Sequence, residues 1–145
     1  MSGSPPTAGK TRRQVVGKLG EDETIRRYGE LGFTAVARNL HISHNEIDLI
    51  LENETHLVFV EVKTRHASPE SRTRFGRPAA AIDKGKRERM RKAAEDYLRE
   101  HPTQKQPRID VIEVYLKDSD SPFQTPTVLK INHIENAFDA RGRIH

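Results

Sequence analysis

Cysteine is absent from the sequence. That excludes disulfides and thiolate-bound metals, and it suits a reducing compartment. No stretch approaches the run of about 20 apolar residues that spans a bilayer, so no membrane association is expected. The N-terminal MSGSPPTAGKTRRQ lacks the apolar core of a secretory signal. Residues 1–13 read as a disordered arm, and a cytoplasmic location is the plain expectation. Aromatics are also scarce, at 6% of residues. Platforms that stack single-stranded bases are therefore few, and duplex or branched nucleic acid is the better-suited partner.

What remains is polar, with 34% hydrophobic and 32% charged residues among 145. Aliphatic clusters nevertheless recur, which argues for a folded domain with wide solvated faces and against disorder throughout. The length suits one domain, over residues 14–140. The formal charge is only +4, but its distribution is uneven. Lys84, Lys86, Arg87, Arg89, Arg91 and Lys92 fall within nine residues, preceded by Arg72, Arg74 and Arg77. Clustered cations suit a phosphate backbone, although a basic run is also an ordinary solvated helix face.

Periodicity predicts a helix from about Gln14 to Leu31, with Glu21, Ile25, Tyr28 and Leu31 on one stripe and Gly32 as its C-cap. Strands follow over Phe33–Ile42, Glu46–Leu51 and Leu57 to about Thr64. The turns between them are too short for parallel crossovers, so these three form an antiparallel meander. A polar loop over residues 66–78 leads into a helix striped by Met90, Ala93, Ala94, Tyr97 and Leu98. Ile109–Leu116 reads as a fourth strand, Val128–Ile131 as a short fifth, and His133–Phe138 as a final helical turn. The order is α-β-β-β-α-β-β, an α/β fold with a mixed sheet against helices.

Two motifs lead nowhere. Gly9-Lys10-Thr11 invites a phosphate-loop reading, but Gly3 to Gly9 encloses five residues instead of four and no strand precedes it. His41, His44 and Glu46 suggest zinc, yet no second histidine pair is spaced to complete a tetrahedral set.

The stretch Phe59-Val60-Glu61-Val62-Lys63-Thr64-Arg65 carries more. Strand alternation sets Glu61 and Lys63 on one face with Phe59, and Val58, Val60 and Val62 on the other. On the preceding strand Ile47, Leu49 and Leu51 share a face, and Asp48 lies opposite, beside Ile50. Asp48 and Glu61 thus occupy adjacent strands among apolar neighbours, where a lone charge is costly. Glu21 repeats the oddity on the first helix. Taken alone, Glu61 and Lys63 read better as an ordinary ion pair worth about 0.2–1 kcal/mol. Three converging carboxylates point instead to an all-oxygen site for Mg²⁺ or Mn²⁺.

Asp48, a gap of twelve residues, then Glu61-Val62-Lys63 resembles the PD-(D/E)xK nuclease signature. More closely, GKLGED (17–22), RN (38–39), EIDLI (46–50), FVEVKTR (59–65), Lys86, AAEDYL (93–98) and RIDVIEV (108–114) resemble the bacterial YraN-like family of endonuclease-like proteins. The resemblance covers about residues 15–138. It implies a restriction-endonuclease-like αβββαβ core, similar to archaeal Holliday-junction resolvases. It further implies that Asp48 and Glu61 are metal ligands, Glu21 an accessory carboxylate ligand and Lys63 the catalytic lysine. Lys86, Arg108 and Asp110 match family positions without an assigned role. Asn45 departs from the glycine usual before Glu46-Ile47-Asp48, and Thr24 and Gly29 depart from small and apolar helix residues.

The expectation is therefore a Mg²⁺- or Mn²⁺-dependent DNA endonuclease. Arg65, Arg72, Arg74, Lys84, Lys86, Arg87 and Arg89 would follow the nucleic-acid backbone. By analogy with branched-DNA enzymes a homodimer is expected. The alternative is a non-catalytic nucleic-acid-binding module that keeps the nuclease fold.

Overall fold

The structure, a computed structural model, describes residues 12–66, 84–117 and 125–137. Its elements are α1 (Arg12–Glu30), β1 (Thr34–Ile42), β2 (Asn45–Glu52), β3 (His56–His66), α2 (Lys84–Glu100), β4 (Gln106–Lys117) and β5 (Thr127–Ile134). The five strands lie in sequence order in one sheet. β1–β2, β2–β3 and β4–β5 are antiparallel, and β3–β4 is parallel. The α-β-β-β-α-β-β order and the mixed sheet agree with the sequence reading and with a restriction-endonuclease-like core. Among the described residues no helix is long and apolar enough to cross a membrane. Of the arm expected over 1–13, residues 1–11 lie outside the described residues, as does most of the 66–78 loop with Arg72 and Arg74, while Arg12 and Arg13 fall in α1.

Alternation along β3 sorts the core into two layers. Val58 and Val60 join α1 through Val16 and Tyr28, together with Leu49, Leu51, Ile112, Val114 and Leu116. Leu57 and Phe59 join α2 through Ala93, Ala94 and Tyr97, together with Ile50 and Ile109. The helices therefore cover opposite faces, and β3 is buried between them.

The first helix buries a different stripe from the one its apolar residues suggest. The buried positions are Val16, Gly20, Thr24 and Tyr28, spaced by four. Leu31 lies beyond the helix and is 52% exposed. The helix ends in a Schellman motif. Gly32 takes φ 92°, Phe33 N–H donates to Tyr28 O at 2.9 Å, and Gly32 N–H donates to Gly29 O at 3.1 Å. The Phe33 ring meets the Tyr28 ring edge-on at 5.4 Å, the apolar contact that accompanies this cap.

Tyr28 also begins a buried polar knot around Asp110, which is fully buried on β4. Its carboxylate accepts from Tyr28 Oη–H at 2.5 Å, Arg108 Nε at 2.9 Å and the Asn136 N–H at 2.9 Å, and it meets His133 Nε2 at 2.9 Å. Burial pushes the carboxyl up, but the bonds from His133, Arg108, Tyr28 and Asn136 outweigh it and hold Asp110 below its ordinary range. Removing Arg108 would leave the buried Asp110 charge without its guanidinium partner, at a cost of about 3–5 kcal/mol. Arg108 and Asp110 thus tie α1, β4 and the end of β5 together. His133 belongs to β5, which runs on to Ile134, so the helical turn expected over His133–Phe138 is strand in its first residues.

Gly20 explains how α1 reaches the sheet. A Cβ there would lie 2.2 Å from Thr64 Oγ1. Thr24 sits one turn on, buried, with its hydroxyl donating to Gly20 O at 2.7 Å. Gly20→Ala should gain roughly 0.5–1 kcal/mol of helix propensity but lose about 1–3 kcal/mol to overpacking. The expected result in urea unfolding is a net loss. Adding Thr64→Ala should recover most of it; no recovery in the double variant would refute the close contact as the cause.

Candidate active site

The site begins where β2 and β3 separate. Their pairing runs from Glu52↔Leu57 to Leu49↔Val60 and stops there. The next residue, Asp48, bridges the opening with its side chain, and Oδ2 accepts the Val62 N–H at 2.8 Å. On the other side of β2, Asn39 of β1 lies between the pairs Arg38↔Leu49 and Leu40↔Ile47 and takes φ 50°. Simple alternation fails at this distortion. Ile47, expected beside Leu49 and Leu51, packs instead with Ile42, Ile50 and Phe59 in the α2 layer.

Asp48 and Glu61 come together as alternation requires, lining one small hollow with Phe59 and Met90. Glu61 is only 6% exposed. Burial and the neighbouring Glu61 charge push the Asp48 carboxyl up to about 7, against the lowering effect of the Val62 N–H. Two carboxylates in one sheltered place cannot both ionise cheaply. Two ammonium groups face Glu61 Oε1, Lys86 at 3.0 Å and Lys63 at 3.7 Å. The closer one comes from α2, on the far side of the chain crossover.

Glu21 is held apart from this pair. Its Oε1 accepts from Arg38 Nε at 3.1 Å and from Asn39 Nδ2 at 3.2 Å. Arg38 also pairs with Asp22 at 2.9 Å. The Glu21 charge still contributes to raising Asp48. Among the described residues no three His, Cys, Asp or Glu side chains gather closely enough to hold a metal. A divalent ion here would rely on Asp48 and Glu61, and that fits Mg²⁺, which keeps several waters and needs one or two protein carboxylates.

Two clefts converge on this region and share Glu46. One, of 510 Å³, is lined by Lys18, Glu21, Arg38 and Asn39; the other, of 180 Å³, by His44, Asp48, Lys86 and Arg89. Of the basic residues marked in the sequence, Lys84 and Arg89 are exposed on α2. Arg65 is anchored through Nε to Glu113 Oε2 at 3.2 Å, a buried carboxylate that also accepts from Asn132 Nδ2 at 3.3 Å. His41, considered for zinc, faces Glu46 at 3.3 Å across the β1–β2 hairpin. Asp96 of α2 accepts from Ser43, at φ 54° in that hairpin's turn, which fixes the turn against the helix.

Lys86 as a partner of Glu61, and Arg38 and Asn39 as the hold on Glu21, escape a reading of the sequence alone. Each depends on a contact between distant elements, and the only sequence trace is that these residues fall inside the short motifs that mark the resemblance.

The raised Asp48 pKa has a defined consequence for stability. A carboxyl titrating near 3.8 when unfolded and near 7 when folded imposes no penalty below the lower value. The penalty grows as pH rises between the two and is complete above the upper one. Without divalent ions, Asp48→Asn should therefore match the wild type near pH 4 and exceed it at pH 8. The expected gain is about 2–4 kcal/mol, the lower figure allowing for partial exposure. Urea unfolding at the two pH values measures it, and an equal effect at both would contradict the assignment.

Comparison with known proteins agrees with the motif pattern. The model of the uncharacterised protein family UPF0102 matches residues 20–114. The UPF0102 protein of Caldanaerobacter subterraneus subsp. tengcongensis is 36% identical over 130 residues, covering 89% of this chain and 98% of its own. That of Syntrophomonas wolfei is 37% identical over 125 residues, covering 85% and 96%. That of Solibacter usitatus is 42% identical over 106 residues, covering 71% and 76%. The matched span holds Glu21, Asp48, Glu61, Lys63 and Lys86 together, and the chain belongs to the UPF0102 family.

Proposed function

We propose that this protein is a Mg²⁺- or Mn²⁺-dependent nuclease acting on duplex or branched DNA. The observation that carries the reading is the Asp48–Glu61 pair, two carboxylates forced together beside Lys63 and Lys86 in a cleft rimmed by cations. Both ammonium groups face Glu61 Oε1, whereas Asp48 Oδ2 accepts a backbone N–H. Two carboxylates so placed, with the Glu61 charge raising the proton affinity of Asp48, suit a divalent cation, which relieves their repulsion.

When bound, such a cation supplies charge neutralisation on a phosphate and a more acidic water. The chain's own groups supply the rest. Asp48 and Glu61 form the anionic floor, and the Val62 N–H keeps Asp48 aimed. Lys63 is the group to orient the attacking water or hold a phosphate oxygen. In the reaction the water oxygen bonds to phosphorus, one phosphorus–sugar oxygen bond breaks, and the departing oxygen takes up a proton. Arg89 and Lys84, with Arg87, lie on α2 where they would meet the flanking phosphates, and Arg65 is preorganised by Glu113 for the same purpose. Arg72 and Arg74 retain their proposed backbone role from sequence alone.

The test is cleavage of labelled four-way and duplex DNA with Mg²⁺ or Mn²⁺. Wild type should cleave; Asp48→Asn, Glu61→Gln and Lys63→Met should each fall by at least about a hundredfold, the scale of a lost electrostatic contact. DNA binding in chelator should persist in Asp48→Asn and weaken steeply with salt. Salt-dependent binding with no cleavage of any substrate and no metal uptake would select the non-catalytic binding module instead.

A further inference from the structure

Glu61 is faced by two ammonium groups of different origin, and their geometry separates their roles. Lys63 lies two residues along the same strand and stands 3.7 Å from Glu61 Oε1. Lys86 comes from α2, crosses to the sheet and reaches the same oxygen at 3.0 Å. The carboxylate it meets is almost wholly buried, with 7% of its side chain exposed. At that distance, and with the carboxylate sheltered from water, the contact is a close ion pair. Lys86 lines the 180 Å³ cleft with Asp48 and Arg89, and Glu61 lines the small hollow that shares Asp48 and Met90 with it.

We infer that Lys86 is a built-in counter-ion to Glu61, holding the place of a divalent cation and leaving the carboxylate when one binds. The inference rests on the two-carboxylate metal reading above and adds a competition to it. Without a metal, Glu61 needs a cation because a buried carboxylate without a partner is costly. A lysine serves this purpose and remains displaceable, since its ammonium is a point charge on a flexible stem without the two-pronged grip of arginine. Displacement would release a cation into the cleft shared with Arg89, on the side from which a phosphate would enter.

Competition makes a prediction opposite to that of a supporting role. If Lys86 only props up the site, its loss weakens metal binding or leaves it unchanged. If Lys86 competes, its loss tightens binding. Calorimetric titration of the full chain with Mn²⁺, without DNA, reads this directly. Lys86→Met should bind Mn²⁺ about tenfold more tightly than wild type, and Lys86→Arg, which keeps a cation there, should not tighten. Lys86→Gln serves as the second neutral variant if Lys86→Met unfolds, which thermal melting in chelator checks. Equal or weaker affinity in both neutral variants, with wild-type binding abolished by Asp48→Asn, overturns the counter-ion role while leaving the metal site standing. Mn²⁺ binding that survives Asp48→Asn, or none in wild type and the neutral variants alike, overturns the site and the counter-ion role together.

Discussion

One hydrogen bond governs this site: the Val62 N–H donating to Asp48 Oδ2. In a continued β2–β3 ladder that N–H would bond to a backbone carbonyl, and the two strands would stay closed. The side chain accepts it instead, at the residue where pairing ends. This substitution satisfies a backbone donor that would otherwise be stranded at a partly buried position. It also fixes one oxygen of Asp48 and holds the carboxyl beside Glu61. The opening between the strands begins at this bond, and it tempers the rise in Asp48 proton affinity that burial and Glu61 impose. Asn39, in the left-handed region at φ 50°, is the matching distortion on the other neighbour of β2, and its amide goes to Glu21.

Around this opening, the rest of the fold works as a frame. Asp110 collects donors from α1, β4 and the turn after β5, so the C-terminal end of α1 is fixed to the sheet on the face opposite α2. Gly20 lets the middle of the same helix settle onto Thr64. With two fixed points, the helix holds Glu21 over the β1–β2 side, where Arg38 and Asn39 bind it. On the opposite face Asp96 ties α2 to the hairpin turn at Ser43, and this sets the height from which Lys86 reaches Glu61. The polar residues that fix each helix are thus distinct from those that face the cleft.

These relations explain what the sequence could and could not convey. The period of two in Glu61 and Lys63, and in Asp48 and Ile50, was enough to bring both acids to one face, because neither strand is kinked between the members of each pair. It misplaced Ile47, since a departure from alternation just beyond the end of the β2–β3 pairing leaves no trace in the order of apolar residues. The helical stripe failed for a related reason. Gly20 and Thr24 are neither apolar nor large, so a hydrophobicity pattern passes over them, yet the tightness of the interface selects them. Tyr28 and Asp110 are 82 residues apart, and Tyr28 and His133 are 105 apart; pairs of this kind depend on topology, which had to be known first. The Schellman cap at Gly32 was legible because every one of its parts is local.

The two lysines at Glu61 show the same division between local and distant information. Along β3 the pair Glu61 and Lys63 looks like an ordinary surface bridge, and at 3.7 Å it is a loose one. The tighter bond is to Lys86, 25 residues on, in a run of cations that reads as a solvated face or a nucleic-acid contact. Because Lys86 supplies the main compensation for Glu61, Lys63 need not be the residue that stabilises the carboxylate. Its ammonium stands loosely beside a carboxylate that Lys86 meets more closely. That looseness is readily explained if the ammonium has a second anion to meet, which a phosphate entering the cleft would provide.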